Sequence, residues 1–255
     1  MSWADLLGED QPALRASASE TARFGLAVDR LLVADGASLD DAGVVALAAT
    51  SQADLVVLRY PARRVGLFAG LLAGGRDVLL ADQLVYWRLR TGTGRAPAAD
   101  PRLTVGPPPA GATADLVGEI FTGYGNHYLA DPVLDPGAAL AGYQEWAVAS
   151  AGGDGALALL LDSEPVGLAT TSSEPGTVEI ELAGVLGAHQ GQGLYAHLLA
   201  GIEAGAAAAG AEQVVISTQA HNTGVQRAWA RYGFEPVVTF CTVHLLRAGL
   251  LGGSA

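Results

Sequence analysis

Apolar residues fall along this chain in two rhythms, and the switches between them mark the elements. "DLVVLRYPA" (54–62) is a continuous apolar run with polar ends and predicts a buried strand, while "DVLLADQLVYWRL" (77–89) predicts one or two more. Between them, "VGLFAGLLAGG" predicts a short helix stopped by Gly74 and Gly75. The Gly/Pro-rich stretch 91–112 reads as a connection, with "RLTV" inside it as the first strand of the next unit. Then "ADLVGEIFTGY" (114–124) has helical spacing, and "GALALLLDSEPVGLATTSS" (155–173) reads as a hairpin turning at 162–165. "GTVEIELAGVL" (176–186) alternates, which predicts a strand with Glu179, Glu181, Ala183 and Val185 on one face. Residues 191–209 predict a helix with Leu194, Leu198, Leu199 and Ile202 on one stripe. "EQVVIST" (212–218), "NTGVQRAWARYG" (222–233) and "EPVVTFCTVHLLR" (235–247) predict a strand, a helix and one or two closing strands. The order gives an α/β (α+β) class. The expected division is a small α/β N-terminal domain over 1–92, a Gly/Pro-rich linker over 93–110, and a larger domain over 101–249 that takes in the end of the linker.

Charge sharpens this picture. Residues 1–102 hold 12 acids and 11 arginines, whereas 103–255 hold 14 acids against Arg227, Arg231 and Arg247. An acidic second half argues against a nucleic-acid partner, which needs a basic face. It favours a cationic small molecule through its long-range field, or serves solubility alone. No lysine occurs, which excludes a Walker A loop and a pyridoxal Schiff base. G-x-S-x-G and H-E-x-x-H are absent too. Cys241 is the only cysteine, so no internal disulfide and no multi-cysteine metal site forms. No metal is expected. His189, His197, His221 and His244 show no ligand spacing and read as surface or structural residues. No run reads as a membrane span, no export signal is read at the N-terminus, and a cytoplasmic setting is expected.

The chemistry concentrates in "AHQGQGLYAHLLAGIEAG" (188–205), where glycines precede a helix. Glycine lets a ligand approach the backbone, and a helix start offers unpaired N–H groups to a phosphate; easing a tight turn is the plainer use. "VLGAHQGQGLYAHLL" (185–199) with "STQAHNTGVQRAWARYGFEP" (217–236) resembles the Gcn5-related N-acetyltransferase (GNAT) superfamily. Gln190 and Gly193 match the first and fourth places of its Q/R-x-x-G-x-G/A loop. Asn222, Gly233 and Phe234 match its N-x-x-A-x-x-x-Y-x-x-x-G-F helix. The resemblance implies a GNAT fold with a mixed central sheet in the C-terminal half, behind a smaller α/β domain that could be a partial copy. It implies acetyl-CoA as co-substrate, its pyrophosphate held by the amides of Gly191, Gln192, Gly193, Leu194 and Tyr195. Val185 and Leu186 would pair with the pantetheine arm like an added strand. Asn222 would touch the cofactor, and Arg227 with Arg231 could meet its 3′-phosphate. "SETARFGLAVDRL" (19–31), "NHYLADPVL" (126–134) and "STQAHN" look like the TDP-fucosamine acetyltransferase branch, which suits an amino-sugar nucleotide acceptor.

Two positions depart from the pattern. Tyr195 fills the last loop place, usually Gly or Ala. Trp229 stands where the superfamily usually has the tyrosine that protonates the departing thiolate; an indole N–H donates a hydrogen bond but is no acid near neutral pH. Tyr232, three residues on, and Tyr195 are the replacement hydroxyls, and Trp229 is otherwise a packing residue. For the base that deprotonates the amine, Glu179 lies where some members place theirs, and His127 is the second candidate. The expected reaction is direct attack of a primary amine on the thioester in a ternary complex. A backbone N–H near Leu186 would polarise the carbonyl oxygen. The alternatives are another acyl-CoA or a carrier-bound donor, or an acyl-CoA-binding module without catalysis. The acceptor is a small-molecule amine, and a homodimer is left open.

Overall fold

A computed structural model describes residues 3–121, 127–151 and 155–252. Its elements are α1 (Trp3–Leu7), β1 (Leu14–Ala16), α2 (Ala18–Phe24), β2 (Val28–Leu32), α3 (Asp41–Ala49), β3 (Leu55–Pro61), α4 (Leu67–Leu72), β4 (Asp77–Arg90) and β5 (Leu103–Gly106). There follow α5 (Ala112–Phe121), α6 (Pro136–Ala151), β6 (Ala156–Leu161), β7 (Glu164–Glu174), β8 (Thr177–Val185), α7 (Leu194–Ala208), β9 (Gln213–Gln219), α8 (Thr223–Tyr232) and β10 (Glu235–Leu246). Residues 122–124 of the helix predicted over 114–124, and Asn126, lie outside the described residues.

The chain forms two compact units, cut differently from the expected division. One holds 1–85, 125–139 and 238–255; the other holds 86–124 and 140–237. The reason is strand pairing between distant segments. The end of β10 pairs antiparallel with β3, from Phe240 opposite Pro61 to Leu246 opposite Leu55. That pairing takes the C-terminal residues into the first unit, where β2 is parallel to β3 and β1 antiparallel to β2. On one face Val56, Leu58 and Tyr60 pack with Val243, Leu245 and the helices α3 and α4. On the other, Val28, Leu55 and Val57 pack with Leu134 and Leu246.

In the second unit β5, β6, β7 and β8 pair antiparallel in sequence order, and β9 joins β8 in parallel. The hairpin β6–β7 turns through Asp162 and Ser163, both at positive φ, as a two-residue turn requires. Strand β5 arises inside the Gly/Pro-rich connection. The predicted stripe of α7 is buried at Leu194, Leu198, Leu199 and Ile202. A Cβ on Gly201 would lie 2.5 Å from Val105, so only glycine lets this helix press so close to β5.

Candidate active site

Strands β8 and β9 pair only from Thr177 opposite Gln213 to Ile180 opposite Ile216. Beyond that, β8 runs on to Val185 and β9 to Gln219 without mutual pairing. The two strands therefore part and leave an unpaired edge on β8. Leu186 N–H is not on that edge, because it donates to the Val166 carbonyl of β7 at 2.9 Å. The N–H expected near Leu186 to polarise a thioester is therefore not that of Leu186 itself. Backbone groups alternate sides along a strand, so the Val185 amide faces the open edge instead. The Val185 carbonyl accepts from Gln190 Nε2 at 3.0 Å. Gln190 thus fastens the loop to the strand end, and Gln192 Nε2 ties it again to the Ala188 carbonyl.

The loop then climbs into α7 through Gly191 at φ 76° and Gly193 at φ 80°. A Cβ at either glycine would meet nothing within 4 Å. Backbone conformation, not crowding, makes glycine the fitting residue at both. Gly193 is the N-cap of α7 and gives no side-chain cap. The amides of Gly191, Gln192, Gly193 and Leu194 meet no acceptor among the described residues. Four such donors at the positive end of a helix have the chemistry that suits an anion.

The side chains of α7 and α8 named above are held as follows. Trp229 is 1% exposed, meets Trp87 edge-on at 6.1 Å between ring centres, and donates from Nε1 to Tyr195 Oη at 3.0 Å. Tyr232 donates its hydroxyl to Glu203 Oε2 at 2.6 Å, and Glu203 Oε1 accepts from the amides of Gly92 and Gly94. Burial first, then this bond to a carboxylate, raises the Tyr232 pKa. Glu203 is nine residues along α7 from Leu194, so this clamp lies roughly 13 Å down the helix from the loop. Tyr232 therefore fastens a connection, with its hydroxyl committed to Glu203. Asn222 caps α8, accepting from the Val225 amide and donating to Thr218 Oγ1, so its side chain is occupied with structure. Arg227 is exposed on α8.

Glu179 is half-buried in β8, opposite Ser172 of β7 and Val215 of β9. It does not share a face with Ala183 and Val185. Thr171 opposes Ile180 while Thr170 opposes Leu182, so Glu181 is an extra residue and the alternation shifts by one. A bulge of this kind is invisible to a strict period of two.

His127 belongs to the first unit. It is buried, with Nδ1 2.9 Å from His244 Nε2; His244 Nδ1 is 2.7 Å from Asp131 Oδ2. With both rings neutral, His244 Nδ1–H donates to Asp131 Oδ2, His127 Nδ1–H donates to His244 Nε2, and His127 Nε2 carries no proton. Burial first, then the charges of His244, Arg59 and Arg30, hold the His127 pKa well below its ordinary value. Sequence reading found His127 but missed Asp131 and His244, because 113 residues separate that contacting pair. Tyr128 stacks on His127 and donates to Glu20, which pairs with Arg30 at 2.5 Å. Burial and the Glu20 charge push the Tyr128 hydroxyl up to about 12.

Other polar atoms await partners. Both Asp82 carboxylate oxygens, Trp87 Nε1 and the hydroxyls of Thr91 and Thr170 are buried without one among the described residues. An open cavity of about 550 Å³ beside Arg88, Arg90, Glu212 and Glu235 sits at the start of β9, the end remote from the glycine loop. Among the described residues no group of three or more His, Cys, Asp or Glu could hold a metal ion, and no helix is long and apolar enough to cross a membrane.

Comparison with known proteins agrees with this fold. Residues 120–234 match the model of the Acetyltransferase (GNAT) family. A GCN5-related N-acetyltransferase from Kribbella flavida is similar in structure, with TM-score 0.57 and 18% identity over 89% of this chain and 84% of that one. A tandem GNAT protein from the clavulanic acid biosynthesis pathway gives 0.54 and 16%, over 87% of this chain and 75% of that one. A GCN5-related glucosamine N-acetyltransferase region of a fungal multi-domain GH3 beta-N-acetylglucosaminidase gives 0.58 and 10%, over 92% of this chain and 31% of that one. No curated protein matches the sequence. The chain has the fold of the GCN5-related N-acetyltransferases, and its residues 120–234 match that family's model.

Proposed function

We propose that this protein transfers an acetyl group from acetyl-CoA to the primary amine of a small molecule, an amino sugar or sugar nucleotide of the fucosamine kind. One observation carries the reading: parted strands lead straight into a two-glycine loop whose four amides meet no acceptor among the described residues. The amides of Gly191, Gln192, Gly193 and Leu194 would hold the diphosphate, and the open edge of β8 would pair with the pantetheine amides. That pairing sets the thioester near Val185, whose amide is the donor placed to polarise its carbonyl. The glucosamine N-acetyltransferase region among the similar structures, and the acidic second half of the chain, support a cationic amino sugar as acceptor.

The amine must lose a proton before or during attack, and Glu179 and His127 are the two acceptors proposed. Free thiol released from acetyl-CoA, measured across amino sugars, amino acids and polyamines, tests the function. Turnover with an amino sugar supports it, and silence across the whole panel refutes catalysis. Coenzyme A binding without any turnover would favour the second reading, an acyl-CoA-binding module, to which the replacement of the superfamily's tyrosine by Trp229 lends its support.

A further inference from the structure

We infer that the cavity at the start of β9 is a second ligand site, suited to a small zwitterion such as a free amino acid or a short peptide. Its volume, about 550 Å³, lies within the range of small-molecule sites, about 300–1,000 Å³. Arg88 and Arg90 of β4, Glu212 just before β9, and Glu235 of β10 line it, and all four belong to the second unit. Along β4 the burial alternates: Trp87 and Leu89 are buried, and Arg88 and Arg90 are exposed. Trp87 meets Trp229 of α8, so the two guanidinium groups project together from the opposite face of the strand. Between them, the Thr91 amide donates to the Glu212 carbonyl at 2.9 Å. That bond fixes the end of β4 beside the residue that carries the Glu212 carboxylate.

The four charges are not spent on one another. None of these side chains forms an ion pair or a hydrogen bond among the described residues. Opposite charges that line one cavity and stay unpaired leave room for a ligand that carries both signs. The planar fork of arginine suits a carboxylate, and the two glutamates suit an ammonium group. Two bases against two acids leave the cavity neutral as a whole. A simple anion is opposed by Glu212 and Glu235, and a simple cation by Arg88 and Arg90. A molecule with both ends meets attraction at each. All four side chains are exposed, so each contact is weak and screened by salt, and the expected Kd is about 1 mM. The glycine loop lies toward the other end of β9, and this site does not rest on the acyl-transfer reading.

The test titrates the whole chain with L-alanine and with L-alanyl-L-alanine, using acetate and methylammonium as half-ligands, and follows the backbone amide resonances of Arg88, Arg90 and Glu212. A zwitterion is expected to saturate these shifts with an affinity roughly 10-fold above that of either half-ligand, and to weaken as salt is added. The double variants Arg88→Gln/Arg90→Gln and Glu212→Gln/Glu235→Gln should each weaken it roughly 10-fold. Tighter binding of L-alanine identifies a free amino acid as the ligand, and tighter binding of the dipeptide identifies a peptide. No saturable shift with either zwitterion overturns the inference. So does a half-ligand that binds as tightly as the zwitterions, which marks a simple ion site, and so does zwitterion binding that survives both double variants. The substituted side chains are exposed, so Tm and coenzyme A affinity should stay close to wild type. Should either variant fail to fold, the comparison of zwitterions with half-ligands on wild type decides alone. A wild type that binds no coenzyme A refutes the diphosphate site and leaves this titration readable.

Discussion

Replacing Gly193 by alanine separates the shape of the loop from its use. Gly193 sits at φ 80°, and an added Cβ meets no atom within 4 Å. The substitution therefore costs backbone strain alone, about 1–2 kcal/mol for a non-glycine residue in the left-handed region. If the strain is kept, Tm falls by a few degrees, at about 2–4 °C per kcal/mol for a chain of this size. If it is relieved, a peptide plane beside Gly193 rotates and turns the amide of Gly193 or Leu194 away from the ligand. One lost hydrogen bond to a charged group is worth about 1.5–3 kcal/mol, which is roughly a 10- to 150-fold weaker affinity for coenzyme A. Gly210 provides the control. It lies past the other end of α7 at φ 75°, and its added Cβ is equally unobstructed. Calorimetric titration with coenzyme A, alongside thermal denaturation, should give similar losses of Tm for Gly193→Ala and Gly210→Ala but weakened binding only for the first. Equal affinity in both would refute the assignment of the loop amides to the diphosphate.

Other outcomes rest on the same geometry. Tyr232→Phe removes the hydroxyl that Glu203 accepts; Tm should fall by the equivalent of about 1.5–3 kcal/mol while kcat stays within twofold, and a large loss of kcat would return Tyr232 to the chemistry. Asn222→Ala removes the N-cap of α8 and should cost about 1 kcal/mol in denaturant unfolding, and no loss would contradict the cap. Acid should weaken the first unit. The folded-state pKa of His127 lies well below 6.5, so the unfolded chain binds its proton first. The contribution of His127 is complete above that value and declines as pH falls below it, by about 1.4 kcal/mol per pH unit. Glu20, lowered beneath 4.5 because Arg30 outweighs the cost of burial, adds a second loss at more acid pH. Unfolding measured from about pH 7.5 to about 5.5 should lose this slope in His127→Gln, and an unchanged slope would contradict it.

Much of the second unit was legible from local pattern. β8, α7, β9 and α8 lie within a few residues of their predicted bounds, because each carries its periodicity within a short stretch. The glycine loop was legible for the same reason, since positive φ and an uncapped helix start are local properties. The first unit was less so. Strand β2 is short, and α6 (Pro136–Ala151) has apolar residues on all sides, so neither shows a clear face. The unit boundaries depend on β10 pairing with β3 across most of the chain, which no window of sequence contains. The site failed where it depends on contacts between elements. The Asp131–His244–His127 chain, the Glu203 clamp on Tyr232 and the Trp229–Tyr195 bond each join residues 29 to 117 positions apart. The bulge at Glu181 depends on how β7 pairs, so alternation along β8 alone put Glu179 on the wrong face.

Backbone amide spectra recorded with and without coenzyme A address the loop itself. Addition of the cofactor should shift the resonances of Gly191, Gln192, Gly193 and Leu194 and slow their hydrogen exchange, while Gly210 stays unchanged. Bound coenzyme A with those four amides unmoved, or no binding at all, would contradict the diphosphate site on which the proposed acyl transfer depends.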